Sequence, residues 1–140
     1  MILPDANVLI YAFRNDSPDH LRYRAWLESV VNFSEAYGMS PQVLAGVVRI
    51  VSHPRIFSRP SRVSEAFAFA RTLIEQPNAI LVVPGDRHWR IFEQLCAVAA
   101  ATGNLVQDAW YAALAIESGC EWITTDRDYA RFPDLRWRAP

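Results

Sequence analysis

The chain has 140 residues, a length that suits one compact domain over residues 1–140. Its formal net charge is −1, so no global positive field gathers polyanions, and nucleic-acid binding would depend on a local patch. All 14 residues counted as Lys or Arg are arginines, which excludes any chemistry that needs a lysine.

We expect a cytoplasmic protein. Residues 1–10 lack the basic region of a signal peptide, and no apolar run is long enough to span a bilayer. Cys96 and Cys120 lie in apolar segments without metal-ligand spacing, as free thiols in a reducing compartment do.

The first half of the chain predicts two short strands among three helical segments. Residues 2–5 form a buried strand, 8–13 a helical turn and 36–39 a second strand. Ser17 as N-cap and Pro18 at the first helical position start a helix that runs to about Val31. Ser40-Pro41 repeats that signal, and His53-Pro54 ends the helix.

The second half continues the alternation. Residues 61–75 form a helix with Val63, Phe67, Ala70 and Ile74 along one face, and residues 80–83 form a strand. Asp86 caps the next helix and Gly103 closes it. Residues 106–117 form another helix, which ends at Gly119. Residues 121–124 form a strand, and residues 135–137 form a last strand at an edge of the sheet. Strands that alternate with helices predict an α/β fold with a mainly parallel sheet.

Acidic residues follow two of these strands. Asp5 and Asp126 come just after strand ends, where open parallel sheets bind ligands, and Asp108 lies in the first turn of the 106–117 helix. Asp128 joins them only if the chain turns after Asp126, because alternate residues of an extended chain point opposite ways. Each acid alone is explained as a helix cap, a dipole partner or a turn former, and only the combination predicts a site.

Clustered carboxylates favour a hard divalent cation, Mg²⁺ or Mn²⁺, which would remove their repulsion and assist phosphodiester hydrolysis. Phosphoaspartyl phosphatases, receiver domains and Walker A nucleotide sites also use α/β sheets. Each of them needs a lysine, which this chain lacks.

Three segments resemble the PIN-domain family, and in particular VapC-type toxins of the mycobacterial-like group: residues 3–12, 108–115 and 124–132. Residues 40–45 and 53–57 are similar to that group too. The resemblance implies an α/β/α sandwich and a Mg²⁺-dependent endoribonuclease that cuts structured RNA such as tRNA or rRNA. It also implies a homodimer inhibited by a VapB-type antitoxin.

The resemblance assigns catalytic roles to Asp5, Asp108 and Asp126. It gives metal binding to Asp5 and Asp108, with Asp126 and Asp128 as further candidates. Asn7 and Thr125 match polar supporting positions. Arginines that could contact RNA phosphates are Arg14, Arg49, Arg55 and Arg131, although each also fits an ordinary solvated face.

One position departs from the family pattern. Gly46 stands where many PIN domains have a glutamate, and close packing would explain a glycine inside a helix. The departure keeps open a catalytically impaired protein-binding module. A DNA-directed metal nuclease of similar architecture is the other alternative.

Overall fold

Five parallel strands form one three-stranded and one two-stranded sheet. The computed structural model describes all 140 residues, with strands β1 (Ile2–Pro4), β2 (Tyr37–Met39), β3 (Ala79–Leu81), β4 (Glu121–Ile123) and β5 (Trp137–Arg138). β1 pairs with β4 and β4 with β5, while β2 pairs with β3. The two groups meet where β2 approaches β1, and a Cβ added to Gly38 would lie 3.2 Å from the Ile2 carbonyl oxygen. The mainly parallel α/β prediction is confirmed.

The helices fall into two packed groups, as a layered sandwich requires. Helices α1 (Ala6–Phe13), α2 (His20–Asn32), α3 (Pro41–Val51) and α4 (Val63–Ile74) contact one another in succession around α1 and α3. Helices α5 (His88–Val98) and α6 (Asn104–Ser118) pack together as a separate pair. No helix is both long enough and apolar enough to cross a membrane.

Several local signals act as predicted. The Ser40 hydroxyl oxygen accepts a hydrogen bond from the Val43 amide at 3.5 Å, and Pro41 is the first residue of α3. Gly119 ends α6 in the left-handed conformation, with φ of 69°. Val43, Val47 and Val51 of α3 are buried in one hydrophobic core with Leu3, Leu9 and Trp122.

Several helix boundaries differ from the sequence-based predictions. α2 begins at His20, not Pro18, because residues 17–20 form a turn and Asp19 adopts a left-handed φ of 54°. α5 ends at Val98, and Gly103, with φ of 57°, precedes α6 instead of closing α5. Asp86 makes no cap: α5 starts later, after Arg87.

The buried face of α4 is also different. Ala66, Ala70 and Leu73 face the core, while Val63 and Phe67 are about half exposed, at 49% and 51%. Of the four residues predicted along one face of α4, Ala70 is buried and Ile74 is partly buried against the core, while Val63 and Phe67 face outward. The 80–83 strand is shorter than predicted and lies at the outer edge, with Leu81 exposed.

Candidate metal-dependent active site

Asp5 is fixed at the junction of β1 and α1. Its backbone amide donates to the Ile123 carbonyl at 2.9 Å, which extends the β1–β4 ladder by one residue. Its Oδ1 accepts a hydrogen bond from the Ala6 amide at 2.6 Å, so the carboxylate caps α1. Only 8% of the residue is exposed. The capping role and a site role are therefore combined in one buried side chain.

Thr124 connects the two strand ends that carry the acids. Its hydroxyl donates to Asp5 Oδ2 at 2.7 Å and accepts from Asn7 Nδ2 and from the Asp126 amide, each at 3.1 Å. A hydroxyl has one donor and two acceptor positions, and all three are used. The side chain is fully buried. This network holds the Asp5 carboxylate and the start of the Asp126 turn in a fixed relation.

The carboxylates of Asp5, Asp108 and Asp126 act on one another electrostatically. Burial raises the pKa of Asp5 to about 6, with a further contribution from the negative charges of Asp108 and Asp126, against the opposing hydrogen bonds from Thr124 and Ala6. An aspartate that only capped a helix would have its ionised form favoured. The raised pKa is instead typical of functional carboxylates.

Asp108, which lies on α6, also has a raised pKa. Burial raises its pKa to about 6, followed by repulsion from Asp126 and Asp128, while the Tyr129 hydroxyl lowers it in part. Asp108 lies in the second turn of α6, not the first, because the helix begins at Asn104. The helix dipole therefore contributes less to this carboxylate than the sequence predicted, since that effect fades beyond the first turn.

Asp126 and Asp128 are brought together by a turn. A 3₁₀ helix spans Arg127–Arg131, and Asp126 Oδ1 caps it by accepting from the Asp128 amide at 2.8 Å. The Asp128 side chain is 60% exposed and lies 3.8 Å from Arg131. Asp128 thus lies on the outer side of the cluster, where its carboxylate forms an ion pair with Arg131.

Two residues of the site were missed from the sequence. The polar support comes from Thr124 and not from Thr125, which makes no hydrogen bond to the acids. Tyr129 is buried, and its pKa is raised by burial and by the charges of Asp5, Asp108 and Asp126, so its hydroxyl stays protonated. The spacing of Tyr129 after Asp126, one turn of a 3₁₀ helix, is the signal that could have found it.

The donors suit a hard cation that keeps much of its own hydration. No three His, Cys, Asp or Glu side chains lie close enough together to hold a metal ion by themselves. The donors are all oxygens, and the buried Asn7 Oδ1, in the Thr124 network, has no hydrogen-bond partner. Mg²⁺ binds through one or two carboxylates together with waters and phosphate oxygens, so this sparse set fits it.

Gly46 and Arg14 differ from expectation. A Cβ added to Gly46 would meet no atom within 4 Å, so close packing does not explain the glycine. Arg14 is buried and fully used: its guanidinium donates to Asp16, to the Ser61 hydroxyl and to the Arg59 carbonyl, and lies over the Phe57 ring. It braces the segment before α4 and is not available to RNA.

A family model described as PIN domain matches residues 2–135. This chain belongs to the PIN-domain family. Ribonuclease VapC43 of Mycobacterium tuberculosis is 41% identical over 140 residues, which cover 100% of this chain and 95% of the relative. Ribonuclease VapC31 of the same organism is 38% identical, with 100% and 99% covered.

Solved structures share the PIN fold. VapBC2 from Rickettsia felis, bound to a DNA fragment from its promoter, has a TM-score of 0.71 at 20% identity and covers 100% of this chain and 99% of its own. M. tuberculosis VapC20, described as a sarcin-ricin loop cleaving toxin, has a TM-score of 0.65 at 15% identity, with 97% and 99% covered. At these identities the likeness shows the fold of the PIN domain.

Proposed function

We propose that residues 1–140 form a single PIN domain that acts as a Mg²⁺-dependent endoribonuclease, a VapC-type toxin that hydrolyses phosphodiester bonds in structured RNA such as tRNA or rRNA. The observation that carries the proposal is the buried Asp5 carboxylate, whose pKa is raised to about 6 beside Asp108 and Asp126. PIN-domain VapC nucleases are metal-dependent, and relatives at 38% to 41% identity are named VapC ribonucleases.

Asp5 and Asp108 would hold the ion, with Asp126 as a further ligand and Asp128 at the periphery. When bound, Mg²⁺ (or Mn²⁺) supplies a water of lowered pKa and neutralises charge developing on the phosphate. Thr124 and the Ala6 amide keep the Asp5 carboxylate in one orientation. The protonated Tyr129 hydroxyl lies beside Asp108 and stabilises its ionised form. Asn7 holds the Thr124 hydroxyl from the other side.

The partners follow from the same assignment. The Rickettsia felis neighbour is a VapBC toxin–antitoxin complex, which supports a VapB-type antitoxin as partner for this chain. A carboxylate cluster at the sheet edge attracts a basic inhibitor through charge complementarity. We place the protein in the cytoplasm, where its RNA substrates are, and as a homodimer.

Cleavage of purified RNA tests the proposal. Protein freed of any antitoxin is incubated with total RNA in Mg²⁺, with matched reactions in EDTA and with single-stranded DNA. We expect discrete RNA fragments with Mg²⁺ only, and none from Asp5→Asn or Asp108→Asn. The exposed Asp86→Asn variant is the matched control and should cleave like the wild type.

Two other outcomes identify the alternatives. Because no carboxylate stands at Gly46, the protein-binding module is the second candidate, and absence of any Mg²⁺-dependent cleavage of RNA or DNA by the wild type would favour it. Cleavage of DNA in preference to RNA would replace the ribonuclease by a DNA-directed nuclease.

A further inference from the structure

A cleft opens directly beside the acid cluster. It has a volume of about 370 Å³, within the range of about 300 to 1,000 Å³ that is typical of ligand sites. Ala6, whose amide donates to Asp5 Oδ1, is one of the residues that line it. One wall is α3, with Gln42, Gly46 and Arg49, and the other is α6, with Gln107 and Tyr111. The cleft and the acids therefore share the Asp5–Ala6 junction and the Asp108 turn of α6.

The charge of this cleft is opposite to that of the neighbouring acid cluster. No carboxylate lines it, and its one formal charge is that of Arg49. The Arg49 guanidinium makes no hydrogen bond and no ion pair with any side chain or backbone group of the chain, unlike Arg14. An arginine left with unused donors at a cleft is suited to an anion that accepts two hydrogen bonds, such as a phosphate.

Gly46 supplies the space. Gln42, Gly46 and Ile50 follow one another at four-residue intervals, so they line one face of α3, with Arg49 one turn beyond Gly46. A side chain at Gly46 would project into open space, since an added Cβ has no neighbour within 4 Å. A glutamate there would stand in front of Arg49 and repel an anion.

The α6 wall of the cleft carries Gln107 and Tyr111. The Tyr111 ring stacks against the buried Trp122 ring with centroids 5.7 Å apart and planes at 15°. Gln107 precedes Tyr111 by one turn of α6, and both side chains line the cleft. Amide and hydroxyl groups can donate to and accept from a ribose 2′-hydroxyl or a base edge.

The geometry points to this cleft as the subsite for the nucleotide next to the scissile phosphate, with Arg49 binding that nucleotide's phosphate in the space that Gly46 leaves open. The inference rests on the proposed nuclease function, since the acids define where the scissile phosphate lies. Position 46 would then not supply a metal ligand in this chain. As a glycine, it would leave room for the phosphate that Arg49 binds.

RNA binding without metal tests the subsite separately from cleavage. The probe is a fluorescein-labelled, mixed-sequence single-stranded RNA of about a dozen nucleotides, titrated by anisotropy in EDTA. We expect Arg49→Gln to weaken binding about tenfold and to reduce the slope of log affinity against log salt by about 0.7, the contribution of one phosphate contact. Gly46→Glu should weaken binding to a similar extent, and Gly46→Ala should stay within about twofold of the wild type.

Arg90→Gln is the matched control, because Arg90 is also a helical arginine without a hydrogen bond or ion pair. The inference is overturned if Arg49→Gln binds RNA as Arg90→Gln does, if Gly46→Glu binds as tightly as the wild type, or if the wild type does not bind the probe. Wild-type protein that cleaves RNA while Arg49→Gln retains full affinity refutes the subsite alone. If Arg49→Gln loses RNA affinity but the wild type cleaves no RNA with Mg²⁺, the nuclease function alone is refuted.

Discussion

Replacement of Asp5 by asparagine should remove cleavage and change how the stability of the protein depends on pH. The pKa of this carboxyl rises from its ordinary value of 3.8 to about 6 in the folded chain. Because the folded-state pKa is the higher one, the protonated carboxyl favours the native state. The stability it confers is fully present below about pH 4 and is lost as the pH rises through about 6.

The magnitude follows from linkage. A raised pKa of this size lowers the free energy of unfolding by about 3 kcal/mol at pH 7.5, at roughly 1.4 kcal/mol for each pKa unit. About half of that loss is already present near pH 5, so this contribution to the free energy of unfolding differs by about 1.5 kcal/mol between pH 5 and pH 7.5. Asp5→Asn has no such titration. Its stability relative to the wild type should therefore rise by about 1.5 kcal/mol between those two pH values.

Urea unfolding in EDTA, followed by tryptophan fluorescence, measures the difference. The buried Trp122 lies next to the site and reports global unfolding. The Asp5→Asn substitution changes the acceptor of the Thr124 hydroxyl proton, and this constant cost shifts the stability equally at both pH values. Asp86→Asn, at an exposed carboxylate, is the control that should show no divergence. Parallel pH profiles for the wild type and Asp5→Asn would refute the electrostatic account of the site.

Four further substitutions test the hydroxyl network, the cleft and the core separately. Thr124→Val should reduce cleavage at least tenfold, because the hydroxyl holds Asp5, Asn7 and the Asp126 amide. Thr125→Val should retain cleavage within about twofold, and equal losses in the two variants would contradict the role of the buried hydroxyl. Gly46→Ala should raise the free energy of urea unfolding by up to about 1 kcal/mol, since the new Cβ meets nothing, and destabilisation would show that the cleft is closed there. Tyr37→Phe should lower it by about 1 to 2 kcal/mol through loss of the buried 2.6 Å hydrogen bond to the Leu73 carbonyl, without changing cleavage, and an unchanged urea midpoint would contradict that bond.

The alternation of strands and helices and the main acids were predictable because they depend on local patterns. Short apolar segments that alternate with helical segments predicted parallel strands. Asp5 and Asp126 follow β1 and β4 closely in the sequence, so their positions near the strand ends were predictable as well. Ser40 and Gly119 acted through their immediate neighbours, as caps do. The relation of Asp5 to Asp126 needed only the adjacency of β1 and β4.

What could not be predicted depends on partners far along the chain. The choice between Thr124 and Thr125 depends on the strand register, since a shift of one residue turns a side chain to the other face. The loop before α5 is held by Glu117, whose carboxylate accepts from the Gly85 and Arg87 amides at 2.7 and 2.8 Å from 30 residues or more away. That distant cap makes Asp86 unnecessary. Arg14 was removed from the surface by groups 45 and 47 residues later.

Calorimetric titration of the metal-free protein with Mg²⁺ at about pH 6 tests the central claim, that Asp5 and Asp108 form one metal centre, without any knowledge of the RNA. Two carboxyls with pKa values near 6 are each about half protonated there, so binding of one ion should release about one proton, measured from the dependence of the heat on buffer. Binding to the wild type with this release, and its loss in both Asp5→Asn and Asp108→Asn, is the predicted result. Binding that persists unchanged in either variant, or a wild type that binds no divalent ion, would contradict the account.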